Sequence, residues 1–340
     1  ALTEGIEGLA TIDLVVGRPI QPMLASTAAD VAEAVAAMER AQVEWKLDGA
    51  RIQVHRNHGE VQIYTRNLND VTDRLPQVSE LARSFECTSA VLDGEVIGFF
   101  GPDAGPEAFQ DTMSALGHDA EAGAAHGLQP FFFDLMYLDG RSLIDVPLET
   151  RSALLADLVG AHQIPRITTA DEAAAEAHLA AALAAGHEGV MVKSGESGYE
   201  AGRRGKTWRK VKPVHTLDLV VLAAEWGHGR RQGWLSNLHL GARDGETGEL
   251  VMVGKTFKGL TDDLLTWQTE QFLARKVDER DGGHTVVIRP ELVVEIALDG
   301  AQRSTRYPGG VALRFARVRG YRPDRRPDDA DTLDAVRALL

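Results

Sequence analysis

The chain has 340 residues, 44% of them hydrophobic and 25% charged, a balance typical of folded globular proteins in a length that suggests two domains. A single cysteine, Cys87, excludes an intramolecular disulfide and a multi-cysteine zinc site, and fits a reducing cytoplasm. No apolar run approaches the ~20 residues of a membrane span, no secretory signal pattern opens the chain, and the net charge of -14, taken alone, argues against nucleic-acid binding.

In chain order, residues 1–20 read as a connector that ends in the turn-prone Gly17-Arg18-Pro19. Residues 27–41 are Ala-rich with spaced Val and Met and predict a helix. Ile52 and Val54, then Val61 and Ile63, alternate with polar residues across the turn Asn57-His58-Gly59, a hairpin pattern. Strands are expected at Val91–Phe100, Phe131–Leu138, Gly189–Lys193 and Thr207–Lys212, and helices at Glu149–Val159 and Asp171–Ala185. Residues 101–128, rich in Gly, Ala and Asp, read as a surface excursion. Lys212-Pro213 closes this region.

Beyond it the texture is mostly β. Leu217–Ala224, Trp234–Ala242, Leu250–Phe257, Thr285–Ala297 and Val311–Val318 read as strands. One helix, Thr261–Lys276, interrupts them, opened by Thr261 as N-cap with two Asp in its first turn. Five strands with a helix between the third and fourth match a small OB barrel. Asp328–Leu340 reads as a short helix. Basic charge is concentrated in two stretches, Arg203 to Lys212 and Arg314 to Arg326, which could hold a phosphodiester locally or lie on solvated faces.

The chemistry starts at Glu44-Trp45-Lys46-Leu47-Asp48-Gly49-Ala50-Arg51. Lys46 ends a strand just before an Asp-Gly turn that lets backbone approach a ligand, and a neutral lysine amine is a nucleophile. Lys46-x-Asp48-Gly49-x-Arg51 resembles the nucleotidyltransferase motif of ATP-dependent DNA ligases, RNA ligases and capping enzymes. Further segments resemble that family's motifs in order: Tyr64-Thr65-Arg66-Asn67, Asp93-Gly94-Glu95-Val96, Phe131-Phe132-Phe133-Asp134-Leu135, Glu188 to Lys193, Trp208 to Lys212, and Arg314 through Arg325. Pro22-Met23-Leu24-Ala25, Gly202-Arg203-Arg204 and Tyr307 to Phe315 resemble the DNA-ligase branch. The resemblance is to the bacterial type of ATP-dependent DNA ligase, as a catalytic core without the N-terminal DNA-binding domain.

That resemblance implies an α+β fold: a nucleotidyltransferase (ATP-grasp-like adenylation) domain over 21–213, then a β-barrel OB-fold domain over 214–340. Residues 1–20 would be the connector from a missing N-terminal DNA-binding domain, so self-adenylation is expected with weak nick binding and sealing. It implies that Lys46 takes AMP from ATP as a covalent lysyl-AMP, with magnesium as the metal and manganese as the alternative. Glu44 would read the adenine edge, Arg51 the ribose and phosphate end, Arg66 the 5′-phosphate of the nick, and Glu95 the ribose hydroxyl.

Phe133 would stack on adenine. Phe131 and Phe133 share one strand face and Phe132 takes the other, so one face can serve a pocket and the other the core. Asp48 and Glu188 are the candidate metal groups. Lys210 and Lys212, two apart on a strand, would converge on the α-phosphate, and Lys193 would support the pocket or contact DNA. Arg322-Pro323-Asp324-Arg325 would orient the pyrophosphate, with Arg325 where the family has lysine. The expected partner is nicked double-stranded DNA, with no membrane, for a cytoplasmic, nucleoid-associated monomer. An RNA ligase or GTP-using capping enzyme, and a binding-only OB protein, are the competing classes. No HExxH or GxSxG is present to support a zinc enzyme or serine hydrolase.

Overall fold

The computed structural model describes residues 14–98, 112 and 127–340. The first part of the connector and nearly all of the 101–128 excursion lie outside those residues. The chain divides into two compact units, Ala1–Lys212 and Pro213–Leu340.

The first unit runs β1 (Leu24–Thr27), α1 (Val31–Ala36), β2 (Ala41–Lys46), β3 (Ala50–Asn57), β4 (Glu60–Thr65), α2 (Pro76–Ser84), β5 (Ser89–Ile97), β6 (Gln129–Leu138), β7 (Arg141–Ser142), α3 (Leu148–Val159), β8 (Arg166–Thr169), α4 (Glu172–Ala184), β9 (Gly189–Ser194) and β10 (Arg204–Val211). Two five-stranded sheets result, ordered β1-β10-β9-β2-β8 and β4-β3-β5-β6-β7. The central strands β2, β3, β5, β6 and β9 bury both faces. Val43, Val190, Val192 and Val211 pack under α1 and α4, while Ile52, Leu92, Phe132 and Leu135 pack with α2 and α3. Phe133, Met136 and Trp208 form a third cluster with Leu14 and Met23. Side chains of the two sheets therefore meet between them, and the functional residues line that space.

The helix expected over 27–41 is only Val31–Ala36, with Thr27 ending β1 and Ala41 opening β2. It starts where Asp30 accepts the Glu33 amide at 2.7 Å and Glu33 reaches back to the Ala29 amide at 2.7 Å. At α4, Asp171 caps the Ala173 amide at 3.0 Å. Deep in the unit, Arg151 of α3 and Asp134 of β6 form an ion pair with both side chains 0% exposed, so each needs the other.

The second unit runs β11 (His215–Trp226), β12 (Leu235–Arg243), β13 (Leu250–Thr256), α5 (Asp262–Ala274), β14 (Lys276–Arg280), β15 (Thr285–Ile288), β16 (Val293–Leu298), β17 (Gly300–Arg303), β18 (Val311–Arg314), β19 (Arg317–Tyr321) and α6 (Leu333–Arg337). The core of this unit gathers Leu219, Leu240, Val253, Phe272 and Ile296. Thr261 caps α5 through the Leu264 amide.

Nine strands replace the expected five. The 285–297 strand is two, split around Pro290, which has no amide to donate to a ladder. The 311–318 strand is also two, broken at Phe315, whose φ is +53°. β14 is exposed at every residue, so no alternation betrays it. Among the described residues no helix is long and apolar enough to cross a membrane.

Candidate active site

The site is built where β2, β9 and β10 end together. Lys46, the last residue of β2, stands opposite Gly189, the first of β9. A Cβ on Gly189 would come within 2.3 Å of the Val211 carbonyl oxygen, and its φ is +141°. Only glycine lets β9 begin this close to β10. The close approach brings Glu188 and Lys212, which flank those strand ends, to Lys46. The Glu188 carboxylate accepts from Lys46 through Oε2 and from Lys212 through Oε1, the latter at 2.6 Å.

Burial works against the Lys46 ammonium, but Glu188, then Glu95 and Asp48, outweigh it and hold its pKa above the ordinary lysine value. Burial likewise opposes the charge on Glu188, and Lys46 and Lys212 overcome it, so its pKa is lowered. The resting state is thus an ammonium locked in an ion pair, and Lys46 must shed a proton before it can attack anything.

The opposite wall comes from β3 and β5. Gly49 sits so tightly on β5 that a Cβ would meet the Val96 carbonyl oxygen at 2.3 Å, and its amide donates to Glu95 Oε1 at 3.2 Å. Burial pushes Glu95 up to about 7 against the pull of Lys46 and Arg51. Arg51 donates from Nε and Nη2 to Asp93 at 2.9 and 2.6 Å and from Nη1 to the Met23 carbonyl at 2.8 Å. Tyr199 donates to the same Asp93 carboxylate at 2.7 Å. The sequence alone assigns no role to Asp93 or Tyr199. The signal was present for Asp93, which lies two residues from Glu95 and so on the same strand face.

Behind these lies an aromatic box. Phe133 and Trp208 meet edge to face with ring centroids 6.2 Å apart. Lys193 lies between them, its Nζ 4.0 Å from the Trp208 centroid and 4.6 Å from that of Phe133. Its side chain is 1% exposed and pairs with Glu44 at 2.5 Å. Burial, exceeding the pull of Glu44, lowers its pKa. The structure thus places Lys193 inside the box and away from the surface. The Glu44 carboxylate is itself buried and shared between Lys193 and Arg166, the latter at 3.1 Å. The alternation along β6 places Phe132 in the helix-side core and Phe131 and Phe133 on the other face.

Arg66, just beyond β4, is exposed and borders a shallow cleft with Arg51, Asp93, Ile20 and Pro22. Asp48 lies in the Lys46 loop and adds to its field. Lys210 stands on β10 opposite Met191. In the second unit, Arg322 pairs with Asp324 at 2.7 Å and Asp218 at 3.1 Å, and Arg325 approaches Asp218 at 3.5 Å. The Arg322 contact holds Asp324 down to about 2. Asp218 is a hub that the sequence did not suggest.

Residues 22–212 match the sequence family described as the ATP dependent DNA ligase domain, and residues 231–325 match the ATP dependent DNA ligase C terminal region. The chain belongs to the ATP-dependent DNA ligase family. A probable DNA ligase of Saccharopolyspora erythraea is 57% identical over 340 residues, covering 100% of this chain and 66% of the relative. One from Rhodococcus jostii is 56% identical over 342 residues, covering 100% and 67%. The chain thus spans about two thirds of the length of these ligases.

Solved structures share the fold. One named Pmar-Lig superimposes with a TM-score of 0.66 at 22% identity, over 90% of this chain and 68% of that one. A Lig E DNA ligase does so with a TM-score of 0.57 at 19% identity, over 90% and 100%. The described residues hold no group of three or more acidic, imidazole or thiol side chains placed to cage a metal. Asp48 and Glu188 are the carboxylates beside Lys46 that could contact a divalent cation.

Proposed function

We propose that the chain carries out the adenylation and strand-joining chemistry of an ATP-dependent DNA ligase, with Lys46 as the nucleophile. The observation that carries this is the Lys46–Glu188–Lys212 cluster at the junction of β2, β9 and β10, inside a segment matched to the ligase family. Residues 21–213 would act as the nucleotidyltransferase domain and 214–340 as the OB domain.

In the first step the neutral Lys46 amine attacks the α-phosphorus of ATP. An N–P bond forms, the bond to the β-phosphate oxygen breaks, pyrophosphate leaves, and the amine proton is released. In the second step a 5′-phosphate oxygen at a DNA nick attacks the same phosphorus, freeing Lys46. In the third the 3′-hydroxyl attacks the 5′-phosphorus, the phosphodiester forms and AMP leaves. Beyond the covalent bond that Lys46 makes and gives up, the protein's contribution is positioning and charge stabilisation.

Each residue has a part in that contribution. Lys210 and Lys212 place positive charge at the α-phosphate, and Glu95 holds the ribose. Phe133 offers its ring to adenine beside Glu44, Arg51 holds the phosphate end and Arg66 receives the 5′-phosphate. Asp48 and Glu188 would hold magnesium, which when bound neutralises phosphate charge. Arg322, Asp324 and Arg325 orient the departing pyrophosphate. The proposed setting is the cytoplasm, with nicked duplex DNA as partner and a monomer as the working form.

Incubation with α-labelled ATP and magnesium tests the first step. The wild type is expected to carry label through a denaturing gel and Lys46→Ala to carry none. Equal labelling of the two would remove Lys46 from the role.

A further inference from the structure

The segment 14–23 is not a loose lead-in to the first unit. It turns at Val15–Arg18, where the Arg18 amide donates to the Val15 carbonyl at 3.1 Å and Gly17 takes a φ of +90°. From there to Met23 it is held by side chains of a single strand face. Arg51, Gln53 and His55 lie at alternate positions of β3 and so point the same way. Each grips the strap's backbone at a different place. His55 Nδ1 accepts the Gly17 amide at 2.9 Å. Gln53 accepts the Ile20 amide at 2.9 Å and donates to the Ile20 carbonyl at 3.2 Å. Arg51 donates to the Met23 carbonyl at 2.8 Å.

Two more contacts close the assembly. The Tyr64 hydroxyl donates to the Gly17 carbonyl at 3.0 Å. The Met23 amide donates to the Tyr199 hydroxyl at 3.1 Å, and that hydroxyl donates to Asp93. His55 and Gln53 are also joined, through His55 Nε2 and Gln53 Oε1 at 2.8 Å. They are 1% and 4% exposed. Buried polar side chains satisfied by one segment of backbone fix that segment's register, because any slip leaves several of them unpaired.

We infer that Gln53 and His55 are positioning residues for nucleotide transfer, acting through the 14–23 strap on Arg51 and Tyr199. Met23 is the link. Its carbonyl takes one nitrogen of the Arg51 guanidinium while Asp93 takes the other two, so the plane of the fork is set by the strap as well as by β5. Ile20 and Pro22 of the strap also wall the cleft that Arg51 and Arg66 border. The charge that the first unit offers to phosphate is therefore aimed partly by residues that touch no reacting atom. This inference rests on the proposed adenylation reading and adds residues that the family motifs did not single out.

The test is the single-turnover rate of lysyl-AMP formation in the full chain at saturating ATP, together with the final label per molecule. Gln53→Met keeps the size of the side chain and removes its bonds to Ile20 and His55. His55→Ala removes the hold on Gly17, and His55→Asn restores an acceptor near Nδ1. Misplacement of a binding group by a fraction of an ångström slows a positioned reaction by roughly tenfold or more. Gln53→Met and His55→Ala are expected to reach the wild-type amplitude about tenfold more slowly, with His55→Asn recovering most of the rate.

A purely structural role predicts the opposite pattern, a smaller labelled fraction that reacts at the wild-type rate, and that result would overturn the inference. Tyr64→Phe deletes only the hydroxyl on Gly17 and leaves the core filled. It is expected to slow the rate by roughly two- to threefold, the low end of what one hydrogen bond is worth, and an unchanged rate would count against the strap even if the other variants failed to fold. A wild type that takes no label refutes the adenylation reading instead, which separates the two failures.

Discussion

Replacing Glu188 by glutamine tests the centre of the site. The carboxylate holds two ammonium groups at once, Lys46 on one oxygen and Lys212 on the other, with its own side chain 14% exposed. Glutamine keeps the shape but removes the charge, and its amide nitrogen would face an ammonium. Breaking a buried pair by removing one partner costs about 3–5 kcal/mol, and exposed pairs are worth about 1 kcal/mol or less. This site lies between, so a loss of about 2 kcal/mol is expected. For a unit of this size that is a fall of roughly 4–8 °C in Tm.

The effect on rate has two parts of opposite sign. Without Glu188 the pKa of Lys46 falls, so more of it is neutral at a given pH, and the rise of adenylation rate with pH moves to lower pH. Against that, the ammonium groups lose the anchor that aims them, which costs on the order of 100-fold in the rate plateau. The assay is lysyl-AMP formation across pH 6–10 beside a thermal melt. A variant with the wild-type pH profile, plateau and Tm would refute the reasoning.

Glu95 gives a pH signature, because burial lifts its folded pKa to about 7. A carboxyl with a raised folded pKa loses stability as pH climbs from its unfolded value near 4.5 toward 7. Thermal melts from pH 5 to 8 should therefore show wild type falling on the order of 2–3 kcal/mol relative to Glu95→Gln, and parallel curves would contradict the assignment. Arg151→Ala leaves Asp134 charged in a fully buried position and should destabilise by about 3–5 kcal/mol in urea melts. A loss under 1 kcal/mol would show that the pair is dispensable. Arg322→Ala dissolves the Asp218–Asp324 cluster and should slow lysyl-AMP formation far more than joining of a pre-adenylated nick. Equal effects on both would contradict its pyrophosphate role. Chelation of divalent metal should abolish labelling, with magnesium or manganese restoring it, and labelling in excess chelator would exclude the metal.

Local patterns carried much of the architecture. Phe131, Phe132 and Phe133 were assigned faces by alternation, and the clusters agree. Thr261 announced its helix because capping is a matter of a few adjacent residues. What the sequence hid is what depends on partners distant in the chain. β14 has no buried face to pattern it. Arg51 looked like a ligand-binding arginine, yet Asp93, Tyr199 and the Met23 carbonyl share it, and they lie 42, 148 and 28 positions away. The sequence left Lys193 between pocket support and a DNA contact, and its enclosure by Glu44 and two aromatic rings depends on partners far away in the chain. Asp218 carries no motif, and only folding brings Arg322 and Arg325 to it.

The most direct test of the account is the position of the adduct. Wild type treated with ATP and magnesium would be digested and mapped by mass spectrometry, then challenged with a 5′-phosphorylated nick. The account predicts AMP on the peptide bearing Lys46, lost when the nick is added, with the strand becoming adenylated and then sealed. AMP on any other residue, or an adduct on Lys46 that a nick does not discharge, would contradict it.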